Sequence, residues 1–411
     1  MTENSLLWRL SARGRYTGAL ALALAASAGA VPAAAAPTPT PSPSSSQSEL
    51  RLPVVPSQLA FGADECTRAS GTVMAAVPWA QRQLGLSRAL RFTQGAGVTV
   101  GVVDTGIATK ASGLSGRASA VGGAGQDCVG HGTFLAGIIA AAPREGAGFS
   151  GVAPATRIVA ARGTDVTGVP SVALVAQGIR ATVDGGAKVV EVSAALLKGN
   201  AALTSAVKYA ADHDVLLIAP AVPDSTLPRA ADGEARPPLS FWPAASDGVV
   251  SVLDIDIDGR RSDDAVTPKK ADLSAPGAGV SGIGLAGKGH YIANGASVAA
   301  AFVAGTAALV RSYHPELSAQ QVAQRLKSTS YPAEVPVLDV NGALTGILPA
   351  GPASPPRFSS EIHLTPERGD AGAIRRSVVL TGGCVLLGVG IWGAMVLVRR
   401  SRTNQLAASR T

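Results

Sequence analysis

Val98-Thr99-Val100-Gly101-Val102-Val103-Asp104-Thr105-Gly106 is the stretch on which the fold turns. Its first six residues are apolar or β-branched with no polar alternation, the pattern of a short strand covered on both faces, as in a parallel sheet. Comparable runs recur at 157–161, 188–192, 215–219 and 249–253. Between or beyond them the spacing predicts helices over 132–142, 171–184, 201–213 behind an Asn200 cap, 297–313 and 318–328. The last opens with Ser318-Ala319-Gln320-Gln321, a capping-box spacing. Strand and helix in alternation mean an α/β fold with a mainly parallel central sheet. Catalytic groups in such folds gather at the carboxyl ends of the strands, where Asp104 stands.

Two further segments bear on Asp104. Gly130-His131-Gly132-Thr133 places an imidazole at the head of a helix, and Asn294-Gly295-Ala296-Ser297 places a hydroxyl at the head of an apolar one. Each residue alone has an ordinary reading: an Asp bonding its own turn, a capping or surface His, an N-cap Ser. Together they form a chemical set. A hydroxyl is a poor nucleophile until a base takes its proton, and imidazole does this best when a carboxylate fixes its tautomer. A helix N-terminus beneath the Ser adds backbone N–H groups for a developing oxyanion. The other histidines read as structural: His213 and His314 at helix C-termini, His363 in a tether, His290 just before the serine loop. Asp254-Ile255-Asp256-Ile257-Asp258-Gly259 fits a strand and hairpin turn better than a calcium loop, so neither metal nor other cofactor is expected.

The net charge of +7 and isoelectric point near 9.6 invite a nucleic-acid reading that the charge distribution removes. Residues 1–36 carry Arg9, Arg13 and Arg15 against Glu3, and 371–411 carry Arg375, Arg376, Arg399, Arg400, Arg402 and Arg410 without an acid. The body between them is close to neutral. Residues 1–36 read as a signal peptide, with a basic start, an apolar run over 17–31 and the small residues Ala33 to Ala36. Residues 377–398 hold no charge and are long enough for a transmembrane helix, leaving 399–411 as a cytoplasmic tail and the body on the extracytoplasmic side of the membrane. Pro/Ser/Thr-rich stretches mark a linker at 37–60 and a tether at 345–376, which leaves an N-terminal extension at 61–95 and one domain at 96–344. Of three cysteines, Cys384 falls in the apolar span, and Cys66 and Cys128 remain as an even pair that predicts a disulfide in an oxidising compartment.

The order Asp, His, Ser in these contexts resembles the subtilisin family of serine proteases. The resemblance runs from about residue 61 to 332 through Asp104-Thr105-Gly106, the run from His131 to Gly137, the run from Asp272 to Gly277, Gly295-Ala296-Ser297 and Val303-Ala304-Gly305. It implies Asp104 as orienter, His131 as general base, Ser297 as nucleophile with its own backbone N–H in the oxyanion site, and a three-layer α/β fold. Cys66, the segment from Pro78 to Gln81, Asp127-Cys128, Trp242-Pro243-Ala244, the tether and the terminal helix are more narrowly similar to the mycosins, membrane-anchored subtilases of type VII secretion systems. That resemblance implies a Cys66–Cys128 bridge, an exported protein or peptide as substrate, and the secretion complex in the same bilayer as partner.

The chain departs from the family pattern in several places. The family's oxyanion Asn is missing: the segment reads Ile218-Ala219-Pro220-Ala221-Val222-Pro223-Asp224, with no Asn or Gln. Losing that donor lowers turnover by about 10²–10³, or roughly 2.7–4 kcal/mol, a value measured in subtilisin itself. The substrate rim, Ser-Leu-Gly-Gly in the family, is Ser193-Ala194-Ala195-Leu196; Ala296 replaces a Thr and Ala301 a Pro. Two functions therefore stand side by side: a membrane-anchored serine endopeptidase acting on exported proteins, and a catalytically impaired pseudoprotease serving as a structural component of the secretion complex.

Overall fold

Seven strands, all parallel, form a central sheet in the order β2-β3-β1-β4-β5-β6-β7. The structure is a computed structural model describing residues 51–348, apart from 61, 63–64, 226–236 and 263–264, together with 380, 384 and 386–397. In chain order the elements are α1 (Trp79–Gln83), α2 (Leu86–Ala89), β1 (Thr99–Asp104), β2 (Ala118–Ala120), α3 (His131–Ala140), β3 (Arg157–Arg162), α4 (Val172–Asp184), β4 (Val189–Val192) and α5 (Ala201–Asp212). They continue with β5 (Leu216–Pro220), β6 (Val249–Ile255), β7 (Leu273–Pro276), β8 (Val280–Ile283), β9 (His290–Ala293), α6 (Ala296–Tyr313), α7 (Ala319–Ser328) and α8 (Val340–Thr345). β8 and β9 pair antiparallel as a separate ribbon. The α/β expectation holds: helices cover both faces of a parallel central sheet, giving three layers.

The two-residue period of the strands sorts side chains between two cores. Val100, Val102, Val189, Ile218 and Val252 pack with α3 and α6, whereas Val103, Val190, Val192 and Leu217 pack with α4 and α5. Helix α6 is buried over nearly its whole length and is rich in alanine, so it lies close against the sheet. It is long and apolar enough to cross a membrane, but 83% of it is buried within the protein, which makes it the central core helix. The expected caps form: Asn200 accepts from the Leu203 N–H, and Ser318 and Gln321 close a reciprocal capping box; Ser171, read as the first helical residue, instead caps α4 by accepting from the Leu174 N–H.

Three expectations need correction. The four short strands β2, β7, β8 and β9 escape the sequence reading because three or four residues carry too little periodicity. After β6 a tight turn forms, with Asp256 Oδ1 accepting from the N–H groups of Asp258 and Arg260, but the next strand, β7, returns parallel, so no hairpin is made. The expected linker 37–60 is not free of the body. Val55 N–H donates to Ile292 O, Ile292 N–H to Pro53 O, and Leu59 N–H to Thr167 O. The β-branched Val54-Val55 pair extends the β9 edge, and Val55 is buried.

The N-terminal extension continues along β9. Tyr291 donates its hydroxyl proton to Arg68 O and accepts from the Ser70 N–H, while His290 Nδ1 accepts from the Met74 N–H. His290 thus anchors the extension instead of touching the serine. The bridge between Cys66 and Cys128 ties the same segment to the loop ahead of α3. Toward the C-terminus, Leu386–Leu397 is an apolar helix with exposed side chains. The remainder of the expected span 377–398, apart from 380 and 384, and the signal peptide, tail and His363 lie outside the described residues.

Candidate active site

β1 lies where the connections diverge, with β3 and β2 on one side and β4 to β7 on the other, so its carboxyl end faces a natural crevice. Asp104 closes this strand and is buried. Its Oδ1 accepts from the Thr105 N–H at 2.6 Å, and its Oδ2 lies 2.6 Å from His131 Nδ1. His131 begins α3. The free N–H groups of that first turn are met by two buried side chains: Thr105 Oγ1 accepts from Gly132, and Asp127 accepts from the Gly130 N–H (2.7 Å), the Thr133 N–H (2.9 Å) and the Thr133 hydroxyl (2.6 Å). Thr105 donates its own hydroxyl proton to Asp127 at 2.9 Å. Gly132 is required here, since a Cβ would run into the Gly106 carbonyl.

Ser297 lies in the first turn of α6 and its Oγ is 3.2 Å from His131 Nε2. The structure therefore brings together Asp104, His131 and Ser297, drawn from three elements. Burial alone would lower the His131 pKa, but the charges and hydrogen bonds of Asp104 and a second carboxylate, Asp224, overcome it and hold the imidazole well above its ordinary value.

Asp224 lies beside the backbone N–H of Ser297, on the side where a developing oxyanion would be held. Its Oδ1 accepts from the Ser297 N–H at 3.0 Å, its Oδ2 accepts from the Ser297 hydroxyl at 2.6 Å, and the same oxygen is 3.4 Å from His131 Nε2. The carboxylate packs on Gly295, which has φ 142° and leaves no room for a Cβ. An acid therefore accepts hydrogen bonds beside the Ser297 N–H, where the resemblance leads one to expect a donor. A second acid lies beneath. Glu191 on β4 shares the face of Val189, is fully buried, and neither carboxyl oxygen has a hydrogen-bond partner among the described residues. Burial, reinforced by the nearby Asp104 and Asp224 charges, pushes its pKa well above the usual range.

Ser193, Ala194 and Ala195 line the cleft with Asp104, His131 and Asp224, and Ser57 and Gln58 of the N-terminal segment border its mouth. Leu196 and Trp242 exchange backbone hydrogen bonds at 2.8 Å behind it.

Residues 95–357 match the Subtilase family. The chain belongs to that family. Within it, this subtilase is of mycosin type: it is 28% identical to Mycosin-1 of Mycolicibacterium smegmatis over 375 residues, covering 76% of this chain and 83% of the relative. A solved structure described as a serine protease MycP1, an essential component of the type VII (ESX-1) secretion system, superposes with TM-score 0.58 at 26% identity, covering 72% of this chain and all of that one. A chain of an intact ESX-5 inner membrane complex superposes with TM-score 0.60 at 26% identity, covering 84% and 96%.

Three acids of the site carry little signal of their role in the sequence. Asp224 figures there only as the place without an Asn, although an acid four residues after a buried strand end is itself a signal. Glu191 was hidden in an apolar strand, where a lone carboxyl among valines marks either a buried pair or a proton holder. Asp127 resembles a turn residue until α3 is seen to start beside it.

Proposed function

We propose that this chain is a membrane-anchored, extracytoplasmic serine endopeptidase associated with a type VII secretion system, cutting exported proteins by a Ser-His-Asp mechanism. The observation that carries the reading is the hydrogen-bonded line from Asp104 Oδ2 through His131 to Ser297 Oγ, with spacings of 2.6 and 3.2 Å. In this mechanism Asp104 fixes the Nδ1–H tautomer, and Nε2 takes the Ser297 proton as Oγ attacks the scissile carbonyl. His131 then returns the proton to the leaving amine, and water repeats the sequence on the acyl ester. The likeness to mycosins and to a chain of an inner membrane secretion complex supports the partner and the location. The apolar helix Leu386–Leu397 supports anchoring. Cys66–Cys128, a bridge suited to an oxidising compartment, supports the outward orientation of the domain.

A second reading rests on Asp224. A carboxylate in the oxyanion site repels the charge that builds during acyl transfer, which suits a pseudoprotease kept for its fold within the secretion complex. Treating the full-length chain in detergent with a fluorophosphonate probe separates the two. The endopeptidase reading expects one adduct on Ser297 that Ser297→Ala abolishes. A folded chain that takes no label under any condition supports the pseudoprotease.

A further inference from the structure

Three groups at the centre of the site share fewer protons than they have places for. His131 Nε2, Ser297 Oγ and Asp224 Oδ2 lie within 2.6 to 3.4 Å of one another. Among the described residues, the titratable groups around Asp224 are His131 on α3, Asp104 beyond the far nitrogen of that imidazole, and Glu191 on β4 below. Burial holds the Glu191 pKa well above its ordinary value, which favours its neutral form. Asp104 is committed to Nδ1. One proton is therefore divided between His131 Nε2 and Asp224.

Two arrangements hold that proton. In the first, His131 is an imidazolium and Asp224 a carboxylate: Asp224 accepts from both the Ser297 N–H and hydroxyl, so the oxyanion site is filled by the protein's own anion and no base is free. In the second, the proton has crossed from Nε2 to Oδ2, leaving His131 neutral and Asp224 a neutral acid. This form has a free base and an O–H donor beside the Ser297 N–H, which are the two things acyl transfer needs. The forms have the same net charge and differ by one proton moved over 3.4 Å.

We propose that Asp224 is a catalytic residue of this site, working as a neutral carboxylic acid that takes its proton from His131 and donates a hydrogen bond to the substrate oxyanion. The inference rests on the endopeptidase reading. In the reactive form the N–H of Ser297 and the O–H of Asp224 point at the substrate oxygen, while His131 Nε2 takes the Ser297 proton as the Oγ–C bond forms. The bond order and charge balance are those of ordinary acyl transfer; only the donor differs.

The consequence is a pH dependence belonging to the pair. Adding a second proton fills both places and removes the base. Removing the only proton leaves a carboxylate in the oxyanion site. Reactivity is therefore greatest with one proton on the pair and falls on both sides. With Asp224→Asn the donor is an amide that keeps its protons at every pH, so only deprotonation of His131 matters and the alkaline fall disappears. That deprotonation also moves to lower pH, because a carboxylate 3.4 Å away no longer stabilises the imidazolium.

The test is the second-order rate of fluorophosphonate labelling of full-length protein in detergent, measured from pH 5 to 10. Wild type, Asp224→Asn and Asp224→Ala are compared, with Ser297→Ala as blank and near-ultraviolet circular dichroism as a check on folding. A bell-shaped wild type, an Asp224→Asn profile that rises to a plateau about 10²-fold above wild type at pH 9–10, and a plateau-shaped but slower Asp224→Ala support the inference. Wild type and Asp224→Asn profiles of the same shape overturn it while leaving the endopeptidase reading intact. Labelling by Asp224→Asn but never by wild type also overturns it, since the acid then only blocks. If no folded variant labels at any pH, the endopeptidase reading falls and the inference with it.

Discussion

Asp224 Oδ2 is 2.6 Å from Ser297 Oγ, closer than His131 Nε2 at 3.2 Å. In the resting site the serine proton therefore points at an acid and not at its base. This relationship makes the position of a single proton the controlling variable of the site.

Asp104→Asn tests the orienting role. The amide presents either an acceptor or a donor to Nδ1 but no charge, and the imidazolium loses its partner at 2.6 Å. Labelling and turnover should fall by about 10⁴-fold with little change in thermal stability, the size seen when the equivalent change leaves geometry intact but the tautomer wrong. A fall below tenfold would assign Asp104 to the turn alone.

Asp127 should matter for stability first. It accepts four hydrogen bonds, three of them from the start of α3 and one from Thr105. Asp127→Ala leaves these buried donors unmet and should destabilise the fold by about 2–4 kcal/mol, read from denaturant midpoints. Reactivity should drop as well, because His131 is the next residue after Gly130. Unchanged stability would mean water takes over the carboxylate's place.

Glu191 gives a prediction with a definite sign. Its folded pKa is raised, so below the unfolded value of about 4.3 both states carry the proton and burial of the carboxyl adds no pH-dependent penalty. As pH rises past that value the unfolded chain ionises first, and stability is lost until the folded carboxyl ionises too. Glu191→Gln removes this loss. The substitution should raise the melting temperature at pH 7, by an amount worth about 1–3 kcal/mol, and change it little at pH 3.5. An equal effect at both pH values would show that the carboxyl is not held protonated.

Much of this molecule was legible in the sequence. The parallel sheet could be read because β1 and β5 are apolar on both faces, and the caps because Asn200 and Ser318 precede apolar periods. The candidate site could be read because Asp104, His131 and Ser297 each sit at the end or start of an element. What was not legible was contact between residues remote in sequence. Asp224 and Ser297 are 73 residues apart and Tyr291 and Arg68 are 223 apart, so neither the occupied oxyanion site nor the anchoring of the extension leaves a local trace. The docking of Val54 and Val55 was missed for another reason: two apolar residues after a Pro/Ser-rich run are too few to register as a strand, yet enough to extend β9.

The bridge closes a span of 62 residues between Cys66 and Cys128. By chain entropy it should stabilise the fold by on the order of 4 kcal/mol. Replacing both cysteines by serine should lower the unfolding midpoint and expose the segment around 67–76, which lies along β9, to limited proteolysis. Retention of the wild-type cleavage pattern would indicate that Tyr291 and His290 hold the extension without it.

Mass spectrometry of the full-length chain after fluorophosphonate treatment tests the central claim most directly. One phosphonyl adduct on the peptide containing Ser297, absent from Ser297→Ala and from protein unfolded before treatment, is the predicted result. A folded wild-type chain that carries no adduct, while Asp224→Asn carries none either, would contradict the assignment of this site to proteolysis.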